Sequence, residues 1–267
     1  GGVTVALSGL SGDELFGGYP SFRDIPRLAR WLGLWRSLGE PLRTPLLAWL
    51  DAGRTRQQKI ADVLRHAHDL HSLASLQRRL FSQQAAERLL AAPLPPETHP
   101  ELHRLAADLP EADTFRVASA WELRSYMANV LLRDSDTMSM RHSLELRVPF
   151  VDRPFVEWLW QQPTAFRHTP GRPKSPLADA LADILPPGLA RRPKRGFSLP
   201  FARWLRTELR PLFDDVFSPA SVERTGLLSP AATADVWRRF CADDDTRAWS
   251  RVWSLGVLIA FLNRRPA

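Results

Sequence analysis

The chain has 267 residues, 44% of them hydrophobic, which suffices for one large or two small domains with a buried core. Its single cysteine, Cys241, excludes an internal disulfide framework and any CxxC zinc site, and so favours a reducing, cytoplasmic setting. The net charge of +7 comes almost wholly from arginine spread along helical segments, with neither a Lys-rich tail nor a basic-aromatic pattern, so a nucleic-acid partner is not expected.

The first element is "VTVAL", Val3 to Leu7, a β-branched apolar run closed by Ser8-Gly9. It reads as a fully buried strand whose C-terminal end opens onto a loop. From Pro26 to Leu90 apolar residues recur at three- and four-residue spacing, which predicts helices broken at Gly33, Gly39, Pro41, Pro45 and Gly53. "AAPLPPETHPELHRL" is a Pro-rich polar surface connection. Thr114 to Ser139 predicts two further helical segments, ended by "ELRVPFVDRPF", where Pro149 and Pro154 forbid continuous helix. Pro186, Pro187 and Gly188 end another helix, Arg191 to Pro200 form a basic loop containing Gly196, and helix resumes to Arg264. The run "VWSLGVLIAFL", Val252 to Leu262, falls short of the roughly 18 to 20 residues that span a bilayer, so it predicts a buried C-terminal helix and no membrane span. Without repeats or heptads, the picture is one strand belonging to a sheet, followed by a helical body. Opening with no Met and no leader pattern, the chain reads as a piece of a longer protein.

Three constellations carry chemistry. "SGLSGDELFGGY" stands where a buried parallel strand would end and α/β proteins place ligands, and its glycines let backbone N–H groups approach an anion. Asp13 and Glu14 follow at once, and a carboxylate beside a phosphate-accepting backbone works through Mg²⁺. The plainer alternative is a Gly-rich turn with Asp13 capping a helix N-terminus. In "LLRDSDTMSMRHSLELRVPFVDRPF" charges lie among apolar residues, which predicts structural pairing for Glu145 and Arg147 and leaves Asp136 to cap the next helix or to face a pocket. Lysine is rare, three against 33 arginines. Lys174 in "GRPKSPLADAL" and Lys194 in "RRPKRGFSLPF" therefore point to places where a compact ammonium meets phosphate or developing negative charge, the alternative being solvated loop charges.

In their order, "LSGLSGDELFGGY", "LLRDSDTMSMRHSLELRVPFVD", "RPKRGF" and "RVWSLGVLIAFL" make the chain resemble the synthetase domain of the class B, glutamine-hydrolysing asparagine synthetases along nearly its whole length. The resemblance implies an α/β, adenine-nucleotide alpha-hydrolase-like fold. This chain would be its mostly α-helical C-terminal portion, with one or few parallel strands at its N-terminus. It further implies ATP and Mg²⁺: a carboxylate, aspartate in that family, is adenylated and converted to an amide by glutamine-derived ammonia, releasing AMP and pyrophosphate. By position, Ser8, Gly9 and Leu10 would line the AMP pocket, Asp13 would bind Mg²⁺, and Glu14 would anchor the loop through backbone N–H groups. Lys194 would stabilise pyrophosphate and the acyl-transfer transition state, Lys174 would bind phosphate beside it, and Asp136 falls on a commonly shared Asp. The implied partners are small-molecule substrates and an upstream glutaminase domain, with no membrane and with a homodimer open.

Three departures qualify this. Leu10 stands where the asparagine-forming enzymes carry a Glu that manages protons on the incoming ammonia, and Ala178 replaces an arginine near Lys174. The "SGGxDS" pyrophosphate loop and the glutaminase domain are not among the 267 residues, so poor ATP binding and no independent synthetase activity are expected of this chain by itself. The alternatives are a related amide-forming synthetase, such as a β-lactam-forming one, or a non-catalytic interaction module on the same fold.

Overall fold

Two short strands, far apart in sequence, pair in parallel beneath the Gly-rich turn. The computed structural model describes residues 2–53, 55–93, 104, 107–109, 113–186, 188–189, 199–242 and 248–264. In chain order, β1 (Val5–Leu7) leads to α1 (Gly12–Phe16), α2 (Ser21–Ser37), α3 (Glu40–Asp51), α4 (Thr55–His66), α5 (Leu70–Arg78) and α6 (Gln83–Leu89). Next, α7 (Thr114–Trp121) runs through a π-helical stretch, Glu122–Leu131, into α8 (Leu132–Met140). After β2 (Glu145–Arg147) and a 3-10 turn at Pro149–Val151 come α9 (Arg153–Gln161), α10 (Thr164–Arg167) and α11 (Ser175–Ala180). The remaining helices are α12 (Phe201–Arg206), α13 (Arg210–Val216), α14 (Pro219–Glu223), α15 (Pro230–Ala242) and α16 (Trp249–Arg264).

The register sets Val5 against Glu145, Ala6 against Leu146 and Leu7 against Arg147. The expected burial of the first strand fails: Val3 is 69% and Leu7 75% exposed. A parallel sheet is buried only where further layers cover both its faces, and among the described residues this sheet has two strands. Glu145 and Arg147 do pair, at 2.8 Å, but with each other on the exposed β2 rather than inside a core.

Two expected helix breaks are absent. Gly33 lies inside α2 and Pro45 inside α3. A glycine inside a helix costs only about 1 kcal/mol, and a packed stripe of Phe22, Ile25, Leu32 and Trp35 holds α2 through Gly33, Trp35 donating its indole N–H to Leu64 O at 3.2 Å.

The chain divides into two compact units. The first comprises Gly1–Trp49, Val63–Arg78 and His99–Pro193. One of its clusters joins Phe22, Ile25, Leu32, Leu73 and Phe115, and the other joins Leu15, Phe16 and Leu159 with Phe150 and Leu177. The second unit, Leu50–Asp62, Arg79–Thr98 and Lys194–Ala267, is built on Leu205, Phe213, Trp237, Phe240, Leu255 and Ile259. The predicted C-terminal helix forms, yet only one stripe of it is buried: Val252, Leu255, Gly256 and Ile259 are inside while Val257 and Phe261 are exposed. Among the described residues no helix is long and apolar enough to cross a membrane.

Candidate active site

The chain leaves β1 at Ser8, whose N–H extends the ladder by donating to Arg147 O at 2.9 Å. Ser8 Oγ then accepts the Leu10 N–H at 3.3 Å, closing a tight turn on which Gly9 is exposed. A Cβ on Gly9 would meet nothing within 4 Å, so no neighbour in the described chain demands glycine there, and its absence of a side chain leaves that backbone open to a ligand. Ser11 takes a left-handed conformation (φ 75°) and occupies the cap position of α1 without a side-chain hydrogen bond. Asp13 therefore lies within the first turn and does not cap it.

Asp13 and Lys174 meet here. Lys174 precedes α11 with a left-handed backbone (φ 58°), its N–H donates to Phe16 O at 3.0 Å, and its Nζ lies 2.9 Å from Asp13 Oδ1. A left-handed lysine is strained, and such strain persists where the surroundings over-determine it. The two glycines after α1 are required by geometry. Gly17 has φ 71°, and a Cβ on it would sit 2.6 Å from His168 Nδ1; the Asp13 carboxylate lies where a side chain on Gly18 would go.

Glu14 is buried, and its carboxylate accepts the Tyr19 hydroxyl at 2.7 Å. Burial pushes the Glu14 carboxyl pKa up more strongly than this bond lowers it. The loop anchor thus includes a side-chain hydroxyl besides Glu14's own N–H. Burial, then the Glu14 contact, raises the Tyr19 pKa and keeps it a donor. Behind it, Tyr126 meets Tyr19 edge-on at 6.2 Å, and the Arg78 guanidinium lies 5.2 Å and 4.3 Å from the two ring centroids. Arg78 forms a close ion pair with the buried Glu122, which also accepts the Ser21 hydroxyl at 2.7 Å.

Two further predicted residues are Asp136 and Lys194. Asp136 is exposed in the middle of α8. It caps no helix because the helix continues through it. Lys194 and Gly196 lie outside the described residues. Sequence reading missed Ser119, Glu122 and Arg167, all buried. Ser119 and Glu122 carry a readable signal, since Phe115, Ala118, Ser119 and Glu122 follow helical spacing on one stripe. Arg167, in "PTAFRHTP", carries none.

No cluster of three or more His, Cys, Asp or Glu side chains gathers into a metal cage among the described residues. The donors do fit Mg²⁺ carried on phosphates, which takes one or two carboxylates from the protein, and Asp13 offers one beside the open turn.

The asparagine synthase family model matches residues 1–263. A putative glutamine-hydrolysing asparagine synthetase of Mycobacterium tuberculosis (strain ATCC 25618 / H37Rv) is 27% identical over 268 residues, covering 93% of this chain and 38% of its own length. The glutamine-hydrolysing asparagine synthetase 1 of Bacillus subtilis (strain 168) is 27% identical over 262 residues, covering 96% and 40%. Asparagine synthetase 3 of the same organism is 31% identical over 192 residues, covering 71% and 25%. The chain spans well under half the length of these relatives. No solved structure gives a significant match.

Proposed function

The chain belongs to the asparagine synthase family, and on that footing we propose that it carries the Asp13 side of a site that uses ATP to turn a carboxylate into an amide. The observation that carries the reading is the Asp13–Lys174 ion pair at 2.9 Å, beside the Gly-rich turn. A purely structural module has no need to bring a rare lysine from a distant, strained loop onto Asp13, the more exposed of the two acids of that turn.

A carboxylate is a poor electrophile until one oxygen belongs to a good leaving group, and both adenylation and acyl transfer develop negative charge. In this reading the Ser8 to Leu10 backbone takes the nucleotide against the open face of Gly9. Asp13 would hold Mg²⁺ together with the phosphates, the ion supplying charge neutralisation on the departing pyrophosphate. Lys174, fixed by its backbone bond to Phe16, offers a compact cation to a phosphate oxygen. Lys194, assigned by resemblance, would stabilise pyrophosphate and the acyl-transfer transition state. Leu10 can move no proton, so either another group takes the proton of the incoming amine, or the acceptor carboxylate is not aspartate, or this branch is catalytically altered. We assign the pyrophosphate loop and a glutaminase domain that feeds ammonia to upstream parts of the intact cytoplasmic protein.

ATP–pyrophosphate exchange on the full-length protein, run across a panel of carboxylic acids, tests this. The expected result is exchange that depends on one acid and falls by about 100-fold in Lys174→Ala, the order seen when one charge-stabilising donor is removed. Exchange with no acid overturns the reading in favour of an interaction module, which Leu10 would permit.

A further inference from the structure

Helix α1 has five residues, so its terminal carbonyls must be met from outside its own ladder. Asp13 O accepts the Gly18 N–H at 2.8 Å, and Phe16 O accepts the Lys174 N–H at 3.0 Å. Glu14 O accepts the Ser119 hydroxyl at 2.8 Å, and Leu15 O faces Arg167 Nη2 at 3.4 Å. The same Nη2 donates to Ser119 Oγ at 2.9 Å. Arg167 is 0% exposed, with its guanidinium 5.0 Å from the Phe115 ring centroid and 4.4 Å from that of Trp160. Its Nε and Nη1 find no acceptor among the described residues. Aromatic faces and the carbonyl end of α1 offset part of the desolvation. An apolar side chain of similar volume would fill the place at lower cost, so the charge has to be explained by what it holds.

We propose that Arg167 is a positioning residue for the amide-forming site: through Leu15 O and Ser119 it fixes the end of α1, and with it the placement of Asp13 against Lys174. The effect on rate rests on the adenylation reading above; the effect on geometry does not.

The test uses the full-length protein with Arg167→Met, Arg167→Lys and Ser119→Ala. Acylation of Lys174 by an amine-reactive reagent, read by peptide mass against Lys59 in the other unit, reports the clasp. In Arg167→Met the Lys174 to Lys59 ratio rises, and kcat for AMP release falls by about 100-fold with a smaller change in KM for the carboxylate, as displacement of a site by about 1 Å produces. Arg167→Lys recovers part of both, and Ser119→Ala, which removes only a hydroxyl, moves both the same way and carries the test if Arg167→Met does not fold. An unchanged ratio and unchanged kcat in folded variants overturn the proposal. So does an equal rise at Lys174 and Lys59, the mark of general loosening. A wild-type protein that forms no AMP sinks the adenylation reading alone, and the lysine ratio then decides the positioning claim.

Discussion

His168 stacks on Phe115 with centroids 4.9 Å apart and planes 14° apart, in the space that a side chain on Gly17 would need. Burial holds its pKa below the ordinary 6.5, with Asp113 acting weakly the other way. Phe22 also packs on it, at 6.4 Å. The folded state therefore binds the proton less readily than the unfolded chain, so this group's contribution is intact above pH 6.5 and is lost as pH falls through that value. Acidification from about pH 7.5 to 5.5 is expected to lower the wild-type Tm more than that of His168→Gln; equal shifts in a thermal scan would remove His168 from the account. At this scale the sequence marked Asp13 and Lys174, one by its place after a strand and the other by rarity among arginines. It could not mark Arg167, because nothing in a residue's neighbours along the chain says that it will be buried between two aromatic rings.

The stretch from Thr114 to Met140 shows what helical periodicity sees and misses. Two helices were expected, and one unbroken run forms with a π-helical middle at Glu122–Leu131. In a π-helix residues five apart lie nearly above one another, so Glu122 and Met127 share the buried face, a pairing that a 3.6-residue period does not reveal. Helix α16 offers a test of packing against propensity. A Cβ on Gly256 would sit 2.6 Å from the Phe213 ring and 3.2 Å from that of Phe217. Replacing glycine in a helix ordinarily gains up to about 1 kcal/mol, but two buried rings cannot yield, and Gly256→Val is expected to lower stability by about 3 kcal/mol in urea unfolding. A neutral or stabilising result would mean that Phe213 repacks freely.

The described residues leave much of the parallel pair exposed, with Leu7 75% exposed at the end of β1. If upstream chain completes the sheet, Leu7→Ser is nearly neutral in residues 1–267 by themselves and costs about 3 kcal/mol in the full-length protein, measured by denaturant unfolding of both. Equal small effects in the two would reject that covering. The amino-acid sequence by itself determined that most of the chain is helical, that a short strand precedes a Gly-rich acidic turn, and that lysine is reserved for a few places. These are local properties, set by periodicity, turn chemistry and residue type. Only the tertiary structure decided that Asp13 and Lys174 are neighbours, that Glu14 belongs to Tyr19, and that a guanidinium is buried under α1. The contacts of Lys174 and Arg167 join segments far apart along the chain: a five-residue helix cannot satisfy its own carbonyls, and α1 borrows the Lys174 N–H and the Arg167 guanidinium from elements that long-range packing brings to it.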